Sequence, residues 1–262
     1  MSALISTPFS APAATLADTS TMLRRVLRHT TRNPSTLIMA ILMPVVLLLL
    51  MDYGFGGAIH TGGRYIDYLI PGIILMGAGY SGSATAVAVA TDSSEGIIDR
   101  FRTMAIARSA VLTGHVLGSV LRTLIGTAAV VLLALALGFR PAADPLDWLA
   151  ALGLVALMLF AVAWVATGIG LAAGNPSGAA ALASILSILP FLSGAFVPTA
   201  TMPGWLQVFT ANQPMTHIVV TLRGLFTGTP IGDHGWIAVA WCVGVAAVGY
   251  VWARRVYDRR SE

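Results

Sequence analysis

DSSEGIIDRFRTMAIAR, residues 92–108, is a charged island between two long apolar stretches, and its reading decides how the rest of the chain is arranged. Ser93 or Ser94 can accept from the first free amides of a helix, and Asp92 and Glu95 set negative charge where the helix dipole favours it. Residues 93–108 are therefore expected to form a helix. Ile97, Ile98, Phe101 and Met104 recur at helical spacing while Glu95, Asp99, Arg100 and Arg102 cover the remaining arc, as in an amphipathic rod on a membrane surface. One face meets lipid or helix ends; the other is open to a partner. The alternative is a solvated loop whose arginines only fix topology, since arginine near membrane helix ends is common.

On either side of the island the composition belongs to a membrane. Apolar residues fill 56% of the 262 positions and charged residues only 10%, against about 25% charged in a soluble domain. The apolar residues come in blocks near the roughly 20 that span a bilayer as a helix. The net charge of +4 comes from fifteen basic residues, all of them arginine. Without lysine there is no GxxxxGK[ST] phosphate loop and no Schiff base, so any ATP must be hydrolysed on another chain. Cys242, alone in an apolar run, reads as a buried inert thiol.

In chain order, residues 1–15 read as a disordered tail with no signal-peptide pattern. Residues 16–33 mix leucines with Arg24, Arg25, Arg28 and Arg32, the pattern of an interfacial helix on anionic lipid. Asn33-Pro34 then turns the chain inward. Six spans follow over residues 34–254, at about 35–51, 68–90, 111–138, 146–173, 179–197 and 236–252. Pro190 should kink the fifth. Residues 255–262 form a tail. The chain is thus expected to be an all-α polytopic protein with both ends on one side.

Arginines orient it. Four in the N-terminal segment, three in the island and four after the last span face Arg64, Arg140 and Arg223 on the other side. The positive-inside rule puts both termini and the island in the cytoplasm of a cell with this plasma membrane. Arg122 remains, inside the third span. About sixteen apolar residues follow it, about 24 Å of helix, so it is expected to snorkel toward the inner face rather than serve a substrate.

Residues 198–235 are too long for a turn and too apolar for an ordinary loop. Pro198, Pro203 and Pro214 punctuate two short amphipathic helices, with Trp205 suited to an interface and Asn212 and Arg223 among the polar positions. These are expected to be half-inserted helices that line or cap a route at the outer face, where only protein or a water-filled cavity can cover such backbone. A purely structural lid is the alternative.

EGIIDRFRTMAIARSAVLTGH (95–115) and SGAFVPTATMPGWLQVFTANQPMTHIVVTLRGLFTG (193–228) resemble the permease subunits of ABC type-2 exporters, most of all the daunorubicin-resistance, drug-efflux branch. Glu95 and Gly96 match the acidic-glycine start of the family's island, and Arg100, Phe101 and Arg102 match its Arg-hydrophobic-Arg step. Ala105 departs from it, standing where the family commonly has proline. The resemblance implies that the island, with Asp99, is the coupling helix that docks on an ATPase. It further implies a second copy or a related permease as partner, no cofactor on this chain, and ATP with Mg on the separate ATPase subunit. The cargo it implies is an amphiphilic or hydrophobic drug-like compound; export of a lipid or lipid-linked glycan is the alternative within the family.

Other classes fit less well. Gly79-Tyr80-Ser81-Gly82 matches a rhomboid-type GxSG string, but residues 236–252 hold no histidine to activate a serine. A proton-coupled carrier usually places acids inside its spans, whereas Asp52, Asp67, Asp92, Asp144, Asp147 and Asp233 fall at edges. No spacing suggests a metal site, and nothing points to nucleic acid or to catalytic residues.

Overall fold

The computed structural model describes residues 34–59, 63–96 and 108–259, and every regular element in them is helical. In order these are α1 (Pro34–Phe55), α2 (Tyr65–Ser94), α3 (Arg108–Ala136), α4 (Pro145–Ala173), α5 (Pro176–Ile188), α6 (Gly204–Asn212), α7 (Pro214–Thr227) and α8 (His234–Arg259), with 3-10 turns at Leu189–Leu192 and Thr199–Thr201. Four helices are long and apolar enough to cross a membrane: α2, Leu112–Ala136 of α3, α4 and α8. The apolar runs Ile41–Phe55 and Pro176–Leu192, where the first and fifth spans are expected, are shorter.

Local chemistry explains the ends. Asp144 and Asp147 form a reciprocal capping box at the start of α4, the Asp147 amide donating to Asp144 Oδ1 at 2.8 Å and the Asp144 amide to Asp147 Oδ2 at 3.1 Å, with Pro145 in the first turn. Asn175 caps α5 by accepting from the Gly178 amide at 2.7 Å, and Pro176 opens the helix. Two expectations change here. Pro190 does not kink a helix running to residue 197; α5 proper stops at Ile188, and a 3-10 turn carries the chain only to Leu192, because proline offers no amide to continue the ladder. At the other end of the chain α8 runs unbroken to Arg259, so most of the expected tail is helix.

Helix α2 is the hub, packing on α1, α3, α4, α5 and α7, while α4 lies along α8. Lipid tails are as apolar as leucine, so helices in a bilayer associate through close contact and polar bonds rather than through burial from water. Small residues supply that contact. A Cβ on Gly79 would lie 2.5 Å from the Leu186 carbonyl oxygen of α5, and one on Gly82 would lie 2.8 Å from Val162 Cγ1 of α4. Ala86, Ala90, Ala166, Ala179 and Ala183 form a buried seam among α2, α4 and α5. The main core gathers Leu69, Ile70, Ile73, Phe139, Met158 and Leu222, and a second cluster pairs Val89 and Leu112 with Trp164 and Tyr257. Facing outward are Leu132, Leu149, Ile185 and Val248, with Trp205 75% and Trp236 81% exposed, the aromatic pattern of a membrane–water boundary.

Candidate functional site

The island is only partly within view. Asp99, Arg100, Phe101 and Arg102 lie outside the described residues, as do Arg24, Arg25, Arg28 and Arg32. What is described corrects the expected start of the contact helix. Ser93 and Ser94 belong to the last turn of α2, with the Ser94 hydroxyl donating to the Thr91 carbonyl at 2.9 Å and the Glu95 amide bonding the same carbonyl at 2.9 Å. Serine bonds as readily to a carbonyl three or four residues back as to an amide ahead. Gly96 follows at φ 68°, a left-handed exit that favours glycine. Asp92 and Glu95 therefore sit at the negative end of the α2 dipole. Asp92 meets His115 of α3 across a 3.2 Å contact, while Glu95 is exposed.

Beyond this exit, α2 and α3 are joined by hydroxyls. Ser119 Oγ bonds Thr85 Oγ1 at 2.6 Å and Ser81 Oγ at 3.3 Å, and Thr123 Oγ1 and Ser81 Oγ are bonded to each other. Thr85 and Thr123 also donate to the carbonyls of Ser81 and Ser119, each at 2.8 Å. Such interhelical bonds contribute about 0.6 to 2 kcal/mol apiece in membranes, so the seam binds together the two helices that flank the island. Sequence reasoning weighed Ser81 only as part of a protease string. The signal it passed over is the i, i+4 spacing of hydroxyls on both helices, Ser81 with Thr85 and Ser119 with Thr123.

One turn from that seam lies Arg122, ten residues from the start of the apolar span Leu112–Ala136 and fourteen from its end, about 15 Å and about 21 Å of helix, so it is nearer the island end of α3. A cation within a span costs about 2.5–3.5 kcal/mol at the centre on insertion scales. Its side chain lines a cavity of about 660 Å³ between α2, α3 and α5, with Ser83, Ser184 and Ser187 among the walls and Tyr80, Val87 and Ile188 supplying apolar surface. Ser83 donates to the Ala183 carbonyl at 2.7 Å and shares a 3.3 Å bond with Ser187.

At the opposite end from the island, α6 and α7 form as expected, Pro203 preceding α6 and Pro214 opening α7. Arg223 is the tie. Its Nη2 donates to the carbonyls of Tyr68 at 3.1 Å and Gly194 at 3.2 Å, and the guanidinium lies 3.5 Å from the centre of the Tyr68 ring. Tyr68 and Tyr65 donate to Gly194 at 2.8 Å and Phe196 at 3.1 Å. The start of α2 is thereby fastened to the turn after α5. Pro198 is half-buried, whereas Pro203, Trp205 and Asn212 are exposed, so Arg223 alone of the six expected positions bonds between elements among the described residues. His217 of α7 and His234 of α8 meet at 2.8 Å between Nδ1 atoms, a juxtaposition that their seventeen-residue separation hid. Burial, and then His234, pushes His217 below its ordinary pKa.

The profile of the ABC-2 type transporter family matches residues 17–227. The daunorubicin resistance ABC transporter permease protein DrrB1 of Streptomyces coeruleorubidus is 34% identical over 256 residues, 96% of this chain and 89% of that protein. The probable doxorubicin resistance ABC transporter permease protein DrrC of Mycobacterium tuberculosis is 26% identical over 97% of this chain and 94% of its own length. The putative transport permease ycf38 of Porphyra purpurea is 25% identical over 82% and 75%.

Proposed function

The chain belongs to the ABC-2 type transporter family, and from that premise we propose that it is the permease subunit of an exporter that moves amphiphilic or hydrophobic, drug-like compounds out of the cell. The observation that carries this is 34% identity over 96% of the chain to a daunorubicin resistance permease. ATP, with Mg, is bound and hydrolysed on a separate ATPase subunit, in keeping with a chain that has no lysine for a phosphate loop. The protein has six spans in the plasma membrane, both termini in the cytoplasm, and works with a second copy or a related permease.

The residues supply the mechanics. Closure of the ATPase presses on the island through Glu95, Gly96, Asp99, Arg100, Phe101 and Arg102. The island hangs between the ends of α2 and α3, and the contact of Asp92 with His115 and the hydroxyl seam make those two helices move as one body. At the outer end Arg223 passes that motion from α2 to α7 and to the turn after α5. No covalent chemistry is needed on this chain.

Glu95→Ala and Arg102→Glu test the coupling. Both variants should reach the membrane, yet co-purify poorly with the ATPase and lose substrate-stimulated ATP turnover. Unchanged co-purification and turnover in both would remove the island from the mechanism.

A further inference from the structure

We propose that the cavity between α2, α3 and α5 is a binding site for an amphiphile with an acidic head group, and that Arg122 is the residue that selects for that charge. This rests on the exporter reading above and narrows its substrate class. At about 660 Å³ the space is within the range of about 300–1,000 Å³ typical of ligand pockets. Arg122 is the one charged residue among the described residues that line it; the rest are hydroxyl or apolar. An ionisable side chain within a membrane span faces a functional cavity more often than lipid.

The walls divide the work. Tyr80, Val87 and Ile188 offer apolar surface to a hydrocarbon or ring system, and Ser184 and Ser187 offer weak, adaptable hydrogen bonds. The guanidinium, planar and permanently charged, suits a carboxylate, sulfonate or phosphate. It equally repels an amine-bearing cation, so the site favours acidic or neutral compounds over cationic ones. The acid can belong to a free compound or to a membrane lipid; the chemistry at Arg122 is the same.

The test uses the permease with its ATPase in nanodiscs of phosphatidylcholine. The probes are the fluorescent acid dansylaminoundecanoic acid and its uncharged primary amide. The wild-type complex should bind the acid about tenfold more tightly than the amide, the scale of one charge-assisted hydrogen bond. Arg122→Gln should bring the acid down to the level of the amide, and Arg122→Lys should restore the preference. Equal binding of the two probes by the wild type, or a preference that survives Arg122→Gln, would overturn the proposal. Should Arg122→Gln fail to insert, Ala84→Trp, on an exposed wall of the cavity, should block both probes; undiminished binding would overturn the site. Added phosphatidylglycerol that displaces the acid assigns the head group to lipid, and its failure to compete assigns it to a free compound. Co-purification of the ATPase, read on the same preparations, reports separately on the exporter reading.

Discussion

Ser119 is the point where hydroxyls from two helices meet, and replacing it with alanine removes two of their bonds at once. Ser119→Ala should lower thermal stability by about 1 kcal/mol. It should also reduce the compound moved per ATP hydrolysed, because α2 and α3 can then slide independently; an unchanged ratio would leave the seam a packing feature only. His217 makes a second prediction at this scale. When two Nδ1 atoms stand 2.8 Å apart one must donate and the other accept, so the contact needs at least one neutral ring. Since the folded chain holds the His217 pKa down, the unfolded chain takes up the proton first. The contribution to stability is full above about pH 6.5 and drains away as pH falls through the folded value. Hydrogen-exchange protection over residues 213–235, corrected for the intrinsic exchange rate at each pH, should fall between about pH 7.5 and about pH 5.5, and His217→Gln should flatten that response.

At the scale of elements, the close approach of α2 to α5 makes a tight demand on sequence. A side chain on Gly79 would strike the backbone of Leu186 and Ser187, which cannot rotate away. Gly79→Leu should therefore part the two helices and sharply reduce the yield of folded protein in detergent, whereas Gly153→Leu, on α4 with nothing within 4 Å, should not. The presence and order of the helices could be read in advance because apolar blocks, prolines and caps such as Asp144 and Asn175 each have one physical meaning. Two boundaries could not. Ser93 and Ser94 carry hydroxyls that serve the end of one helix as well as the beginning of another, and only three-dimensional continuity decides between them. Pro190 can bend a helix or end it; here the α-helix ends at Ile188, and the rings of Phe191 and Phe196 stack at 5.1 Å in the turn beyond.

For the molecule as a whole, the proposed topology is open to direct measurement. Asn212→Cys and Asp233→Cys, both at exposed positions, should react with an impermeant maleimide in intact cells; reaction only after permeabilisation would invert the orientation. The candidate site was legible only where chemistry follows the chain. Arg223 stood out as a cation in an apolar segment, yet its grip on Tyr68 and Gly194 joins parts of the chain that no local pattern connects.

The fifth apolar helix, Pro176–Leu192, has one further consequence. Thirteen residues of α-helix and four of 3-10 helix reach about 28 Å, slightly less than the roughly 30 Å hydrocarbon slab of an average bilayer. In the proposed six-span topology the bilayer beside the cavity would then thin to meet the protein, and the surrounding lipids become a participant in its working cycle: shorter tails relieve the mismatch and longer tails strain it.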